Sequence, residues 1–238
     1  MLTQTTGRSE APRHPTMFAR SVPPAPQTAY KGAPASDPLT QQIQLMGATM
    51  TFSRNAEIFG ENEPADYLYK VISGAVRTYK ILSDGRRQIG GFYLPGDVFG
   101  LEFADEHSLA AEAITDIKVL VIKRSALAAL ADRNAGTARE LYALTACELR
   151  RAQARILLLV KSAQERVASF LLEMAERAAA DNAIDLPMSR QDIADYLGLT
   201  IETVSRTLTT LETAAAIDVP TSRRIVLRNR GALSRLNG

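Results

Sequence analysis

SRQDIADYLGLTIETVSRTLTTLE, residues 189–212, reads as two short helices with a tight break between them. Ser189 can N-cap the first helix, with Asp192 at its third helical position. Ile193, Ala194 and Leu197 give that helix one apolar face. Gly198 stops it, because glycine accepts the left-handed backbone that a helix end favours. Leu199 is an apolar plug in the turn, and Thr200 caps the second helix. There Val204, Leu208 and Leu211 recur at i, i+4 and i+7 and face inward. Ile201, Glu202, Ser205, Arg206 and Thr209 are left outside. A small residue, a glycine four later and an apolar residue six later is helix-turn-helix spacing, with Ala194 small because the helices cross there.

The outward face carries the chemistry. The second helix of such a motif lies in the DNA major groove and its first residues meet base edges. Glu202 can accept from a cytosine amino group, and Arg206 can fork onto guanine O6 and N7. Four residues apart, they share one face. Taken alone the pair reads as a solvated surface ion pair; inside a helix-turn-helix the base-contact reading is preferred. Ile201, Glu202, Ser205 and Arg206 are therefore the candidate base contacts. Candidate phosphate contacts are Ser189, Arg190 and Gln191 at the first helix start and Thr200 and Thr203 at the second, where free N–H groups favour anions. Arg223 and Arg224, further along, are weaker candidates.

Leu199-Thr-Ile-Glu-Thr-Val-Ser-Arg206 resembles the recognition helix of the CRP/FNR superfamily of bacterial transcription regulators. Glu202, Ser205 and Arg206 match the Glu-x-x-Ser-Arg pattern of its FNR branch. The cyclic-AMP receptor branch usually has arginine where Ile201 stands and glycine where Ser205 stands. The resemblance spans roughly residues 45–230 and is nearest to FixK-type regulators of low-oxygen metabolism. It implies a homodimer on an inverted TTGA…TCAA repeat, a partnership with RNA polymerase, and activation as the direction of control.

The chain has 238 residues, 46% of them apolar, room for two domains and a substantial core. Net charge is only +2, which alone does not suggest nucleic acid. After Asp218, however, come five arginines and no acid, a segment for phosphate contact or a solvated tail. The one cysteine, Cys147, excludes an internal disulfide and reads as a packed small hydrophobe before a redox switch. With no long apolar run and no signal-peptide core, a cytoplasmic protein without membrane contact is expected.

Residues 1–38 are rich in Pro, Thr, Ala and Ser without periodicity and read as a flexible arm. Residues 39–123 change to short strands divided by turns. The strands expected are 49–52, 67–72, 75–82, 89–94, 97–99, 109–114 and 117–122, with Asp84-Gly85 as a hairpin turn. Strands so spaced suggest a sandwich, barrel or jelly roll. The resemblance makes this the β-roll effector domain, similar to a cyclic-nucleotide-binding domain.

No catalytic residue is identified in the roll. Its single histidine, His107, is too few for a metal centre. Relatives that bind cyclic AMP hold the phosphate with a Gly-Glu and an Arg-Ser pair. Here the corresponding stretches read Pro95-Gly-Asp-Val-Phe-Gly-Leu-Glu102 and His107-Ser108. The glutamate is out of register and the guanidinium is missing, so no cyclic AMP is expected. One cysteine cannot supply an iron–sulfur cluster. No cofactor is expected.

Residues 124–161 are helical. Ser125–Ala131 reads as a first helix broken at Asn134-Ala135-Gly136, and Thr137 as the cap of a long second one. Tyr142, Thr145, Leu149, Ala152, Ile156 and Leu159 follow the 3-4 spacing of a two-stranded coiled-coil seam. Leu141, Leu144, Leu157 and Leu158 lie off that seam and are expected on the roll. Ser162-Ala-Gln-Glu165 is a capping box that opens residues 162–238, the DNA-binding domain. Residues 181–185 read as a loop, and 216–219 with 224–227 as a hairpin wing.

The fold class is thus α+β: an N-terminal jelly-roll-like β-roll, a long dimerisation helix and a C-terminal winged helix-turn-helix. The function expected is a sequence-specific, homodimeric transcription regulator in low-oxygen or nitrogen-fixation gene control, not an enzyme. Two alternatives stay open at this point: a regulator gated by an unidentified small effector, and a nucleotide-binding regulatory subunit of an enzyme.

Overall fold

The computed structural model describes residues 46–102, 104–158, 160–178 and 182–237. The arm expected over residues 1–38 lies outside the described residues.

The roll is built from β1 (Ala48–Phe52), β2 (Glu57–Phe59), β3 (Tyr67–Ser73), β4 (Val76–Ile81), β5 (Arg87–Tyr93), β6 (Val98–Phe99), β7 (Ala110–Ala113) and β8 (Ile117–Lys123). They form two antiparallel sheets, in orders β1-β8-β3-β6 and β2-β7-β4-β5. Inward side chains of both sheets make one core around Phe59, Tyr69, Phe99 and Val119. Tyr69 stacks on Phe99 at 5.1 Å between ring centroids. The β4–β5 hairpin turns at Gly85, whose φ of +83° an L side chain rarely adopts. β2 is not among the expected strands; its three residues are too few to show an alternation.

Two helices follow, α1 (Arg124–Arg133) and α2 (Ala135–Leu158). The cap between them is Asn134, not Thr137. Asn134 has extended backbone, and its Oδ1 accepts from the amides of Gly136 and Thr137 at 2.9 and 3.2 Å. Thr137 is buried inside the first turn. Leu141 and Leu144 pack over Leu68, Leu120, Ile122 and Leu127 of the roll and α1. Leu157 departs from expectation: it is 63% exposed and lines an open cleft instead of packing on the roll. Leu158 packs on the C-terminal core instead.

Helix α3 (Ala163–Arg177) starts at the expected capping box: Ser162 Oγ accepts from the Glu165 amide, and Glu165 accepts from the Ser162 amide. Then come β9 (Ala183–Asp185), α4 (Arg190–Leu197), α5 (Ile201–Thr213), β10 (Ile217–Asp218), β11 (Arg224–Leu227) and α6 (Arg230–Asn237). The expected loop over 181–185 is corrected by β9. It pairs antiparallel with β11, setting Ile184 against Ile225, both almost fully buried. The wing is therefore three-stranded, in order β10-β11-β9. Part of the expected arginine tail is helix α6, anchored by Leu233, which is 0% exposed.

The break at Ser162 does not divide the core. Ile89, Phe92 and Leu94 of the β5 segment share one apolar cluster with Phe170, Leu171, Met174 and the helix-turn-helix. Burying such side chains contributes roughly 1.5–3 kcal/mol each, so the C-terminal unit rests on the roll through a continuous apolar contact.

Candidate nucleic-acid interface

Local sequence sets the helix-turn-helix. Ser189 and Asp192 make a reciprocal capping box at the start of α4. Gly198 ends the helix at φ +64°, the left-handed conformation that glycine tolerates. Ala194, 0% exposed, sits where α4 and α5 cross. Thr200 caps α5, its hydroxyl accepting from the Thr203 amide at 3.2 Å. Val204, Leu208 and Leu211 are buried and hold α5 by its inner face, leaving the outer face to solvent.

On that outer face Ile201, Glu202, Arg206 and Thr209 are exposed and Ser205 is half-buried. The Glu202 carboxyl is held below the usual carboxylate range by its own backbone amide, the Thr200 hydroxyl and Arg206. It is thus an acceptor at neutral pH, beside a guanidinium with donors to spare. The surface offered to a base edge is one acceptor, one fork of donors and a small hydroxyl on the first two turns of a helix.

The phosphate candidates differ in how free they are. Ser189 is committed, since its hydroxyl donates to Asp192 at 2.7 Å. Gln191 donates to Asp195 at 2.6 Å. Thr200 and Thr203 share a hydrogen bond between hydroxyls at 3.1 Å. Arg190 Nε is buried with no hydrogen-bond partner, a donor the folded chain leaves unsatisfied. In the wing, Arg223 donates to the Pro187 carbonyl, while Arg224 stays half-exposed near Asp185.

Sequence reasoning missed a connection behind this surface. The Asp192 carboxylate, besides capping Ser189, accepts from Arg77 at 2.9 Å and Arg87 at 2.7 Å. Arg87 also reaches Asp195 at 2.7 Å, and Gln88 donates to the Asp195 carbonyl at 2.7 Å. Arg77 is balanced on its other side by Glu112 at 2.6 Å. The β4–β5 sheet of the roll thus grips α4. The signal available was the pair of arginines facing solvent positions of β4 and β5, which local periodicity does not connect to residues over a hundred positions away.

The seam candidates Tyr142, Leu149 and Ile156 are 74%, 58% and 63% exposed on α2. Thr145 is exposed and Ala152 half-buried; Leu159 lies outside the described residues. Cys147 is half-buried, with Arg150 Nη2 at 3.7 Å from its sulfur.

The roll loop that follows β6 is tied to itself. Glu102 accepts from the Ser108 amide at 3.2 Å and its hydroxyl at 3.0 Å. Arg124 donates to the carbonyls of Ala65, Glu102 and Ala104. His107 is buried and stacks on Phe59 at 3.6 Å. Among the described residues no group of three metal-ligating side chains converges, and no helix is long and apolar enough to cross a membrane.

Two family models match the chain. A Crp-like helix-turn-helix domain matches residues 165–236 and a cyclic nucleotide-binding domain matches residues 49–134. The nitrogen fixation regulation protein FixK of Azorhizobium caulinodans is 50% identical over 203 residues, 83% of this chain and 82% of that protein. FixK of Rhizobium meliloti is 44% identical over 187 residues, 78% of this chain and 85% of that protein. Among solved structures, FixK2 from Bradyrhizobium japonicum superposes with a TM-score of 0.78 at 54% identity, covering 81% of this chain and 98% of that one.

Proposed function

Because the chain belongs to the CRP/FNR family of transcription regulators and is similar to its FixK members, we propose that it binds DNA as a homodimer and activates transcription. The site is an inverted TTGA…TCAA repeat, and the genes served are those of low-oxygen or nitrogen-fixation metabolism, with RNA polymerase as the protein partner. The observation that carries this reading is the exposed Glu202–Arg206 face on the first two turns of α5. Glu202, Ser205, Arg206 and Ile201 meet bases, while Ser189, Arg190, Gln191, Thr200 and Thr203 meet phosphate. Tyr142, Thr145, Leu149, Ala152, Ile156 and Leu159 form the dimer seam on α2. By domains, residues 39–123 are the roll, 124–161 the linker and dimer helix, and 162–238 the DNA-binding unit.

The roll works without cyclic AMP in this reading. Glu102 occupies the amide and hydroxyl of Ser108, so a phosphate there would have to displace a carboxylate and would find no guanidinium at position 107. The protein therefore binds DNA in air without added effector and serves no catalytic role. An electrophoretic shift on the inverted TTGA repeat, run aerobically at several salt concentrations, tests this. Binding that appears only with cyclic AMP, or only anaerobically with iron, contradicts it.

A further inference from the structure

A cleft of about 570 Å³ opens where β5, α2, α3 and the end of α4 meet. That volume is within the range of small-molecule sites, roughly 300–1,000 Å³. It is separate from the roll interior and from the DNA-facing side of α5. Five cationic side chains line it, Arg150, Arg151, Arg155, Lys161 and Arg177, against three carboxyl groups, Glu148, Glu173 and Glu176.

Most of those charges are already matched. Arg151 pairs with Asp97 at 2.9 Å and Glu148 at 2.6 Å. Arg177 pairs with Asp97 and, at 3.4 Å, with Glu173. Arg155 is half-buried and lies within electrostatic reach of Tyr93, Glu173 and Tyr196. It makes no hydrogen bond or ion pair among the described residues. Tyr196 packs its ring on Phe92 at 5.1 Å and on Phe170 at 5.9 Å. Its hydroxyl donates to nothing among the described residues, and burial keeps it a neutral donor. The strand wall of the cleft is the backbone of Gly90 and Gly91 together with the Tyr93 ring, which lies against the open face of Gly91, while the open face of Gly90 meets Leu109 and Thr78.

We propose that this cleft binds a small anion with a planar apolar body, its oxyanion held by Arg155 and the Tyr196 hydroxyl and its body laid between the Tyr196 ring and the Gly90–Gly91 backbone. A guanidinium and a neutral hydroxyl together favour an oxyanion over a neutral ligand. The peptide wall with its Tyr93 ring and the Tyr196 floor select a planar body over a bulky one. In a dimer formed on the seam described above, the Ala154 wall of the cleft faces away from the partner and Arg155 flanks the seam. Ala154, on its wall, stands two residues from both Ala152 and Ile156, about 200° round the helix from each. Such a ligand touches the roll, the long helix and the DNA-binding unit at once. The inference does not depend on which DNA sequence the protein prefers.

The probe is 8-anilinonaphthalene-1-sulfonate, whose planar naphthalene ring carries one sulfonate, titrated by fluorescence against the full chain without DNA. The expected result is saturable binding at one site per chain. Arg155→Gln is expected to weaken it by about 10-fold or more, the loss of one charge-assisted hydrogen bond. Ala154→Trp changes an exposed helix position and is expected to abolish binding by filling the cleft. Benzoate and adenosine 5′-monophosphate, added as competitors, then distinguish a carboxylate from a phosphate ligand by which of them displaces the dye. Unsaturable dye binding, equal binding in both variants, or a dye site that neither competitor reaches overturns the proposal.

Discussion

Arg87 and Asp192 are 105 residues apart in sequence and 2.7 Å apart in space. One end of that pair belongs to the roll, and the other to the helix that supports base readout. The same carboxylate caps α4, so the start of the helix-turn-helix and its attachment to the roll share one side chain. Asp192→Ala is expected to lower unfolding free energy by roughly 2–3 kcal/mol, since it removes a helix cap and leaves Arg77 with Glu112 alone and Arg87 with Asp195 alone. Arg87 keeps 24% of its side-chain exposure, so Arg87→Ala costs less. Urea unfolding followed by circular dichroism measures both; equal losses would mean that the cap and the Arg77 contact contribute nothing.

His107 makes stability depend on pH. Burial, aided by Arg124 and opposed by Glu102 and Glu63, holds its imidazole below the ordinary value of 6.5. The unfolded chain therefore binds a proton near pH 6.5 that the folded chain refuses. Between the two values the unfolded state carries more protons, so stability rises with pH. This contribution is complete above the unfolded value and is lost as pH falls below it. Urea midpoints measured from pH 5 to 7.5 should fall toward acid, and His107→Leu should flatten that part of the curve.

The seam on α2 carries the next expectation. Burial of paired Ile156 and Leu149 side chains between two copies contributes roughly 1.5–3 kcal/mol each. Ile156→Asp sets two like charges in an apolar seam. Monomers are expected, with DNA binding lost and the winged unit still folded. Sedimentation at micromolar concentration checks it, and a dimeric Ile156→Asp protein would remove this seam.

Legibility in the sequence followed the range of the interaction. The helix-turn-helix is local: a cap, a left-handed glycine and an i, i+4, i+7 stripe lie within 24 residues and are all readable. The capping box at Ser162 is readable for the same reason. β9 is three residues long and owes its existence to β11, some forty positions later, so nothing near it signals a strand. Helix α6 has eight residues, Gly231 among them, and its arginines read as a tail until Leu233 finds a core. Asn134 took the cap expected of Thr137 because both residue types can cap and only backbone geometry chooses. The arginine grip on Asp192 is beyond any window of periodicity.

Arg190 has an unsatisfied buried Nε beside the phosphate candidates. Arg190→Ala is expected to weaken DNA binding about equally on all sequences. It should reduce the salt slope by about one per half-site. Affinities at four or more salt concentrations give that slope, and an unchanged slope excludes a phosphate contact.

Base readout rests on Arg206. Two recognition helices related by a two-fold enter successive major grooves about 34 Å apart. Each presents Arg206 to the guanine of TTGA, with Glu202 on the paired cytosine or orienting the guanidinium. A good bidentate contact discriminates by roughly 1–3 kcal/mol, so over two half-sites Arg206→Ala should cost on the order of 2–6 kcal/mol. The decisive measurement is a mutant-by-sequence cycle at fixed salt, wild type and Arg206→Ala each on the cognate palindrome and on one changed at that guanine–cytosine pair. Most of the loss is expected to disappear on the changed palindrome; equal losses on both would show Arg206 to be a phosphate or structural contact, not a reader of bases.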